Sequence, residues 1–202
     1  MFSSQPFKDG VKHAIGVPAL GLGSSMFAFG AFLNSAGFDI FQSFCSTFFT
    51  FALPGQFVMA ETILAGGSLL NIFLAVLLTN GRLYPMTVNI TPVIRNQNIP
   101  KWKQYLTSHF IAVTSWLNMF AVHQNIKQED KFDYFVGLGG FLWANSVVCT
   151  IAGYLFSNVV HNFAEDTLAK FAFIKLLLFK STLLKIIPLF SLAGSTLIIE
   201  RL

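Results

Sequence analysis

Thr50-Phe51-Ala52-Leu53-Pro54-Gly55-Gln56-Phe57-Val58-Met59-Ala60-Glu61 sets a helix breaker, an amide and a carboxylate inside an otherwise apolar run. Proline has no N–H, so within a continuing helix Pro54 leaves the Thr50 carbonyl without its usual partner, and Gly55 weakens the same turn. The stretch predicts a broken helix. A second one of the same kind follows, Thr79-Asn80-Gly81-Arg82-Leu83-Tyr84-Pro85, with a permanent charge and a proline that frees the Gly81 carbonyl. Breaks and polar side chains are costly in hydrocarbon and are kept where they line a cavity. Two in succession point to a binding site.

Working outward, the chain has 202 residues, of which 54% are hydrophobic and 11% charged, with 24 phenylalanines. That leaves too little polar material to cover a soluble domain. The chain reads as an all-α, polytopic integral membrane protein, a single domain over residues 1–202. At roughly 20 residues per span there is room for about six or seven transmembrane helices. The formal net charge is +4, and the lysines and arginines are scattered among loops and helix ends. This distribution argues against nucleic acid as a partner and fits the basic bias of loops beside a membrane. Cys45 and Cys149 lie in separate apolar runs, with neither metal-ligand spacing nor a disulfide framework. Neither a metal nor a cofactor is expected.

Residues 1–12 are polar, and an apolar run over 14–33 follows. It exceeds a signal-peptide core and is punctuated by Pro18 and four glycines, so it reads as a first span. Ala19 with Gly23, and Gly21 with Ser25, have the small-xxx-small spacing of close helix pairs. After a turn at 34–39 comes a second span, 40–65, which holds the Pro54 break. Gly66-Gly67-Ser68 makes a tight connection to a third, 69–88, which holds Asn80 and Arg82 and ends at Pro92 at the latest. A basic loop at 95–103 precedes a fourth span, 105–122. At 100° per residue Thr107, Thr114 and Asn118 share one of its faces, with Ser108 and Ser115 beside them. A charged loop at 124–133 leads to a fifth span, 134–157, with Gly140 and Ala144 spaced for close packing. Residues 168–179 and 183–199, interrupted by Lys175, Lys180, Lys185 and Pro188, make one or two terminal spans.

The polar residues at the breaks each have two readings. Gln56 and the freed carbonyls hydrogen-bond a polar solute, or Gln56 bridges two helices. Glu61 couples protons or contacts an ammonium group, or it reaches out to the membrane surface. Arg82, which cannot discharge itself, meets a substrate carboxylate, or it pairs with Glu61 across the hairpin. Asn80 faces the same cavity or packs. His109 accepts protons or hydrogen-bonds solute, or it bonds to a neighbouring helix.

The set Leu53-Pro54-Gly55-Gln56, Thr79-Asn80-Gly81-Arg82-Leu83-Tyr84-Pro85-Met86 and Ser108-His109-Phe110-Ile111-Ala112-Val113-Thr114-Ser115-Trp116 resembles the AzlC family of branched-chain amino acid permeases, the azaleucine-resistance type. The likeness spans residues 10–179. It implies export of branched-chain or similar small apolar amino acids across the bacterial inner membrane, with a small AzlD-type membrane subunit as a partner. It further implies Gln56, Asn80 and Arg82 as substrate-binding residues; Gly55 at the first break is counted with them, and Glu61 and His109 are left as candidates for coupling. Many members carry Thr-Asp-Glu where this chain has Thr107-Ser108-His109, so an acidic group is missing there. Two other classes stay open. One is an intramembrane serine hydrolase using Ser24 or Ser25 with His109, although the chain has no Gly-x-Ser-Gly turn. The other is a membrane scaffold whose polar residues serve packing alone.

Overall fold

A computed structural model describes residues 4–97 and 99–157. The terminal spans expected at 168–179 and 183–199 lie outside the described residues. Every regular element among the described residues is helical: α1 (Ser4–Ala14), α2 (Val17–Ser35), α3 (Ile40–Phe49), α4 (Leu53–Leu64), α5 (Leu69–Asn80), α6 (Leu83–Ile94), α7 (Lys101–Thr107), α8 (Val113–Val122) and α9 (Lys131–Leu155).

By length and composition α2 and α9 can each cross a membrane, and α5 with α6 makes a third candidate if the pair, bent by 48°, is one span. Two or three such elements, short of the six or seven expected, are found among the described residues. The terminal spans account for part of the difference because they lie outside the described residues, and the rest arises because every predicted span between α2 and α9 is divided in two. The surface nevertheless suits lipid better than water. α5 buries none of its residues against the described part, and Leu69, Leu70, Phe73, Leu77 and Leu78 are all exposed.

The termini of these helices follow from their residues. Asp39 accepts the Phe41 N–H at 3.2 Å, and Gln42 Oε1 accepts the Asp39 N–H at 2.9 Å, a reciprocal cap on α3. α4 ends at Gly66, whose φ of 70° only glycine adopts without strain. Gly66 N–H bonds Ile63 O at 3.0 Å and Gly67 N–H bonds Thr62 O at 2.9 Å, the Schellman closure that turns the chain back into α5.

α9 is the spine, with α1 and α2 packed along it. Gly30 lies so close to Thr150 that a Cβ there would fall 2.8 Å from the Thr150 carbonyl carbon, and one on Gly153 would fall 2.6 Å from that of Phe27. Ala19 and Gly23 meet Asn145, while Gly30 meets Thr150 and Tyr154, so α2 and α9 run parallel. Gly23 thus makes the close helix approach that its spacing predicts. The Gly21–Ser25 pair does not; both residues line a cavity instead. On α9 the closest approaches fall at Gly137, Gly139 and Gly153 rather than at the Gly140–Ala144 pair, since a Cβ on Gly140 would meet its nearest neighbour only at 3.9 Å.

Residues 4–12, part of the stretch read as polar, are helical and form most of α1. Phe7, Gly10, Val11 and Ala14 fall on one face at helical spacing. Gly10 of that face seats against the backbone of Tyr134 and Leu138, and Phe7 seats against Gly137.

Candidate functional site

The two prolines act differently from their sequence reading. Pro54 is the second residue of α4, where a missing N–H costs nothing. The chain between α3 and α4 leaves helical geometry over residues 50–52 in a tight turn, in which the Thr50 carbonyl accepts the Ala52 N–H at 2.9 Å. Pro85 lies in the first turn of α6, and the Gly81 carbonyl accepts the Tyr84 N–H at 3.1 Å. Neither carbonyl is freed for a solute. What each break offers is the N-terminus of a new helix.

A third break has no counterpart in the sequence reading. The fourth predicted span is not one helix: α7 tightens into a single 3-10 turn at Ser108–Phe110, Ile111 and Ala112 are extended, and α8 starts at Val113. The phasing that aligned Thr107 with Thr114 therefore does not apply. Most of that stripe bonds back to its own backbone: Thr107 Oγ1 donates to Lys103 O at 2.8 Å, Ser108 Oγ to Tyr105 O at 2.5 Å and Asn118 Nδ2 to Thr114 O at 2.8 Å. Ser115 fastens the break. Its buried Oγ accepts the Ala112 N–H at 2.9 Å and donates to Phe110 O at 2.6 Å. Ile111 and Ala112 contain no proline or glycine; the β-branched Ile111, Val113 and Thr114 are the only local signal.

All three breaks open on one cavity of about 250 Å³. Phe51, Ala52, Leu53 and Pro54 come from the first break, Arg82 and Leu83 from the second, and Ala112, Val113 and Thr114 from the third. α2 closes the fourth side with Gly21, Leu22, Ser25 and Met26. None of α4, α6 and α8 carries a hydrogen bond from the side chain of its own N-cap residue, Ala52, Arg82 or Ala112. The unpaired N–H groups of a helix start carry about half a positive charge. Three such starts, with the Arg82 guanidinium among them, make this cavity attractive to an anion. Its other walls are mostly apolar.

The remaining sequence-predicted residues are placed elsewhere. Gln56 is 0% exposed and does not line the cavity. Its Nε2 donates to Thr47 Oγ1 at 3.1 Å; Thr47 bonds Thr150 Oγ1 at 3.1 Å; Thr150 donates to Ser146 O at 2.9 Å. Because Thr150 spends its proton on Ser146, Thr47 must donate to Thr150, and the chain of bonds runs one way from α4 through α3 to α9. Gln56 Oε1 and Asn80 Oδ1 are buried without a partner among the described residues. Asn80 packs on Gly55, where a Cβ would lie 2.6 Å from its Cγ, so Gly55 serves α4–α5 packing. Glu61 is exposed and makes no ion pair with Arg82 among the described residues, and it is not among the residues lining the cavity.

His109 Nε2 bonds Phe48 O at 3.0 Å, and as a carbonyl only accepts, the ring nitrogen donates. Ser24 and Ser25 Oγ both donate to Gly21 O at 3.0 Å, so neither serine is joined to His109. Removal of Gln56 should show first as lost stability. Gln56→Ala leaves Thr47 without its donor and opens a void, costing roughly 2 kcal/mol or more. Thermal unfolding in detergent should fall while the KM of the surviving protein for solute stays near the wild-type value.

A family model described as AzlC protein matches residues 18–160, more than half of the chain and inclusive of all three breaks. No curated protein and no solved structure matches it.

Proposed function

The chain belongs to the AzlC family, and from that premise we propose that it exports branched-chain or similar small apolar amino acids across the bacterial inner membrane by alternating access. AzlC proteins are associated with branched-chain amino acid transport, and the apolar helices are those of a membrane protein.

The observation that carries the reading is the meeting of three helix starts, none capped by the side chain of its N-cap residue, and Arg82 in one largely apolar cavity. Broken helices whose N-termini face an anionic group are a recurring solution for holding a substrate carboxylate in a transporter. The carboxylate sits against Arg82 and the first turns of α4, α6 and α8. The aliphatic side chain takes the wall formed by Leu22, Met26, Phe51 and Leu53. Asn80 and Gln56 act from behind the cavity, by holding α4 against α5, α3 and α9. A small AzlD-type subunit completes the transporter.

The parallel α2 and α9 support a count of crossings. If both span, an odd number of crossings lies between them, and the pairs α3–α4, α5–α6 and α7–α8 supply three, for five within the described residues. Breaks that meet at one cavity are what three half-crossed spans would bring together at the mid-plane. The assay is uptake of labelled valine into inverted vesicles containing the chain and its partner subunit. Saturable uptake above that of empty vesicles is expected; none at normal protein levels would end the proposal.

A further inference from the structure

A second opening, a groove of about 560 Å³, is lined by Phe48 and Phe49 of α3, by Trp102 and Leu106 of α7, by His109 and Phe110, and by Trp143 of α9. It shares no lining residue with the cavity at the breaks, yet the same two stretches of chain, 48–54 and 109–114, run past both. Along the first, Phe48 and Phe49 face the groove, and the residues from Phe51 on face the cavity. Along the second, His109 and Phe110 face the groove, and the residues from Ala112 on face the cavity. Between the two lining sets along the chain come Thr50, which lines a third opening with Cys45 and Met59, and the buried Ile111, 6% exposed, with Phe51 at 5%. Along the second segment Ile111 alone separates the residues of the groove from those of the cavity, and it forms the partition with Phe51.

One carbonyl holds the two segments and α9 together. Phe48 O accepts His109 Nε2 at 3.0 Å and Trp143 Nε1 at 3.1 Å. It belongs to the last turn of α3, where carbonyls have no intrahelical partner. Parting the segments therefore breaks two side-chain bonds and no helix bond, and the non-helical residues 50–52 and 111–112 can absorb the change in backbone angles.

We infer that this aromatic groove is a second binding site on the same path, which receives the apolar side chain of the amino acid beyond the partition, with the His109–Phe48–Trp143 bonds as its latch. The inference rests on the transport reading for the identity of its occupant. Phe48, Phe49, Phe110 and Trp143 offer a surface suited to an aliphatic group, and aromatic walls with few polar atoms are typical of sites for such ligands. The carboxylate stays with the three helix starts on the other side. An amino acid crossing side chain first thus exchanges one apolar wall for another.

The test is sidedness of labelling by a membrane-impermeant thiol reagent. In chains with Cys45→Ala and Cys149→Ala, single substitutions Leu106→Cys in the groove and Ser25→Cys in the cavity are compared in right-side-out and inverted vesicles. The two are expected to react from opposite faces, and valine, but not glycine, should slow the labelling of Leu106→Cys at least severalfold. His109→Phe, or Trp143→Phe if that variant fails to accumulate, should make Ser25→Cys reactive from both faces. Three results would overturn the inference: Leu106→Cys unreactive from either face, as it would be if a lipid chain filled the groove; both cysteines reacting from one face whatever stands at positions 109 and 143; or equal protection by valine and glycine. Should opposite sidedness and the latch effect hold while labelled valine is not transported, the partition stands and the transport reading falls.

Discussion

Arg82→Ala should reduce valine transport efficiency about 10- to 150-fold at unchanged protein level, the equivalent of roughly 1.5–3 kcal/mol for a hydrogen-bonded charge. Arg82 lines the cavity and forms the N-cap of α6, so its charge and the α6 dipole act at the same place. The variant removes the charge and leaves the three helix starts. Some anion affinity therefore remains, and the loss should appear mainly as a raised KM if the carboxylate is held equally in the bound and the moving states. Arg82→Lys should fall between the two, because an ammonium keeps the charge but lacks the planar fork that meets both carboxylate oxygens. Kinetics in inverted vesicles separate these outcomes. Full activity in Arg82→Ala would remove this residue from the mechanism.

The largest structural effect is expected at the α2–α9 seam. Gly153→Val places a branched side chain where a Cβ alone would already lie 2.6 Å from the Phe27 carbonyl carbon. That neighbour is backbone and cannot rotate away, so α2 must move off α9. The move also parts Gly30 from Thr150, the last hydroxyl in the chain of bonds that holds Gln56. A cost of roughly 3 kcal/mol or more is expected, at the upper end for overpacked cores. Gly140→Ala, by contrast, should leave stability within about 1 kcal/mol of wild type and on the favourable side, because alanine is the better helix former and its Cβ would meet nothing closer than 3.9 Å. Size-exclusion profiles and thermal unfolding of the purified proteins distinguish these two glycines directly.

These expectations also mark what the sequence made legible. Pro54 and Pro85 announce two breaks because proline acts locally, through its missing N–H, and Gly66 announces the hairpin between α4 and α5 through its left-handed turn. The direction of the effect was not local. Whether a proline frees a carbonyl or opens a new helix depends on where the chain leaves helical angles, and here it leaves them before Pro54. The third break was invisible for the opposite reason. Ile111 and Ala112 are ordinary residues for a membrane helix, and what holds them extended is Ser115 reaching back to Ala112 N–H and Phe110 O. Arg82 was found from its charge. Leu22, Phe51 and Val113 could not be, because apolar cavity walls look like packing until the helices are placed, and Thr114 was visible only as one member of a polar helix face.

Gln56 shows the limit of a family motif read without geometry. Its position beside Pro54 suggests a ligand contact, but it faces α3 and α9, and its Nε2 bonds Thr47. α1 shows the limit of composition. Its polar and charged residues together outnumber its apolar ones, so it reads as a polar lead-in, yet the spacing of Phe7, Gly10, Val11 and Ala14 lets it seat on α9.

The carboxylate is the part of the substrate to which the three helix starts and Arg82 are assigned, so removing it from the ligand tests the central claim most directly. Leucine and leucinamide, which differ only at that group and carry the same side chain, are compared as competitors of labelled valine in inverted vesicles, with wild type and Arg82→Ala side by side. Leucine should compete at least tenfold better than leucinamide in the wild type, and that preference should shrink in Arg82→Ala. Equal competition by both compounds in the wild type would contradict the assignment of the converging helix starts to a substrate carboxylate.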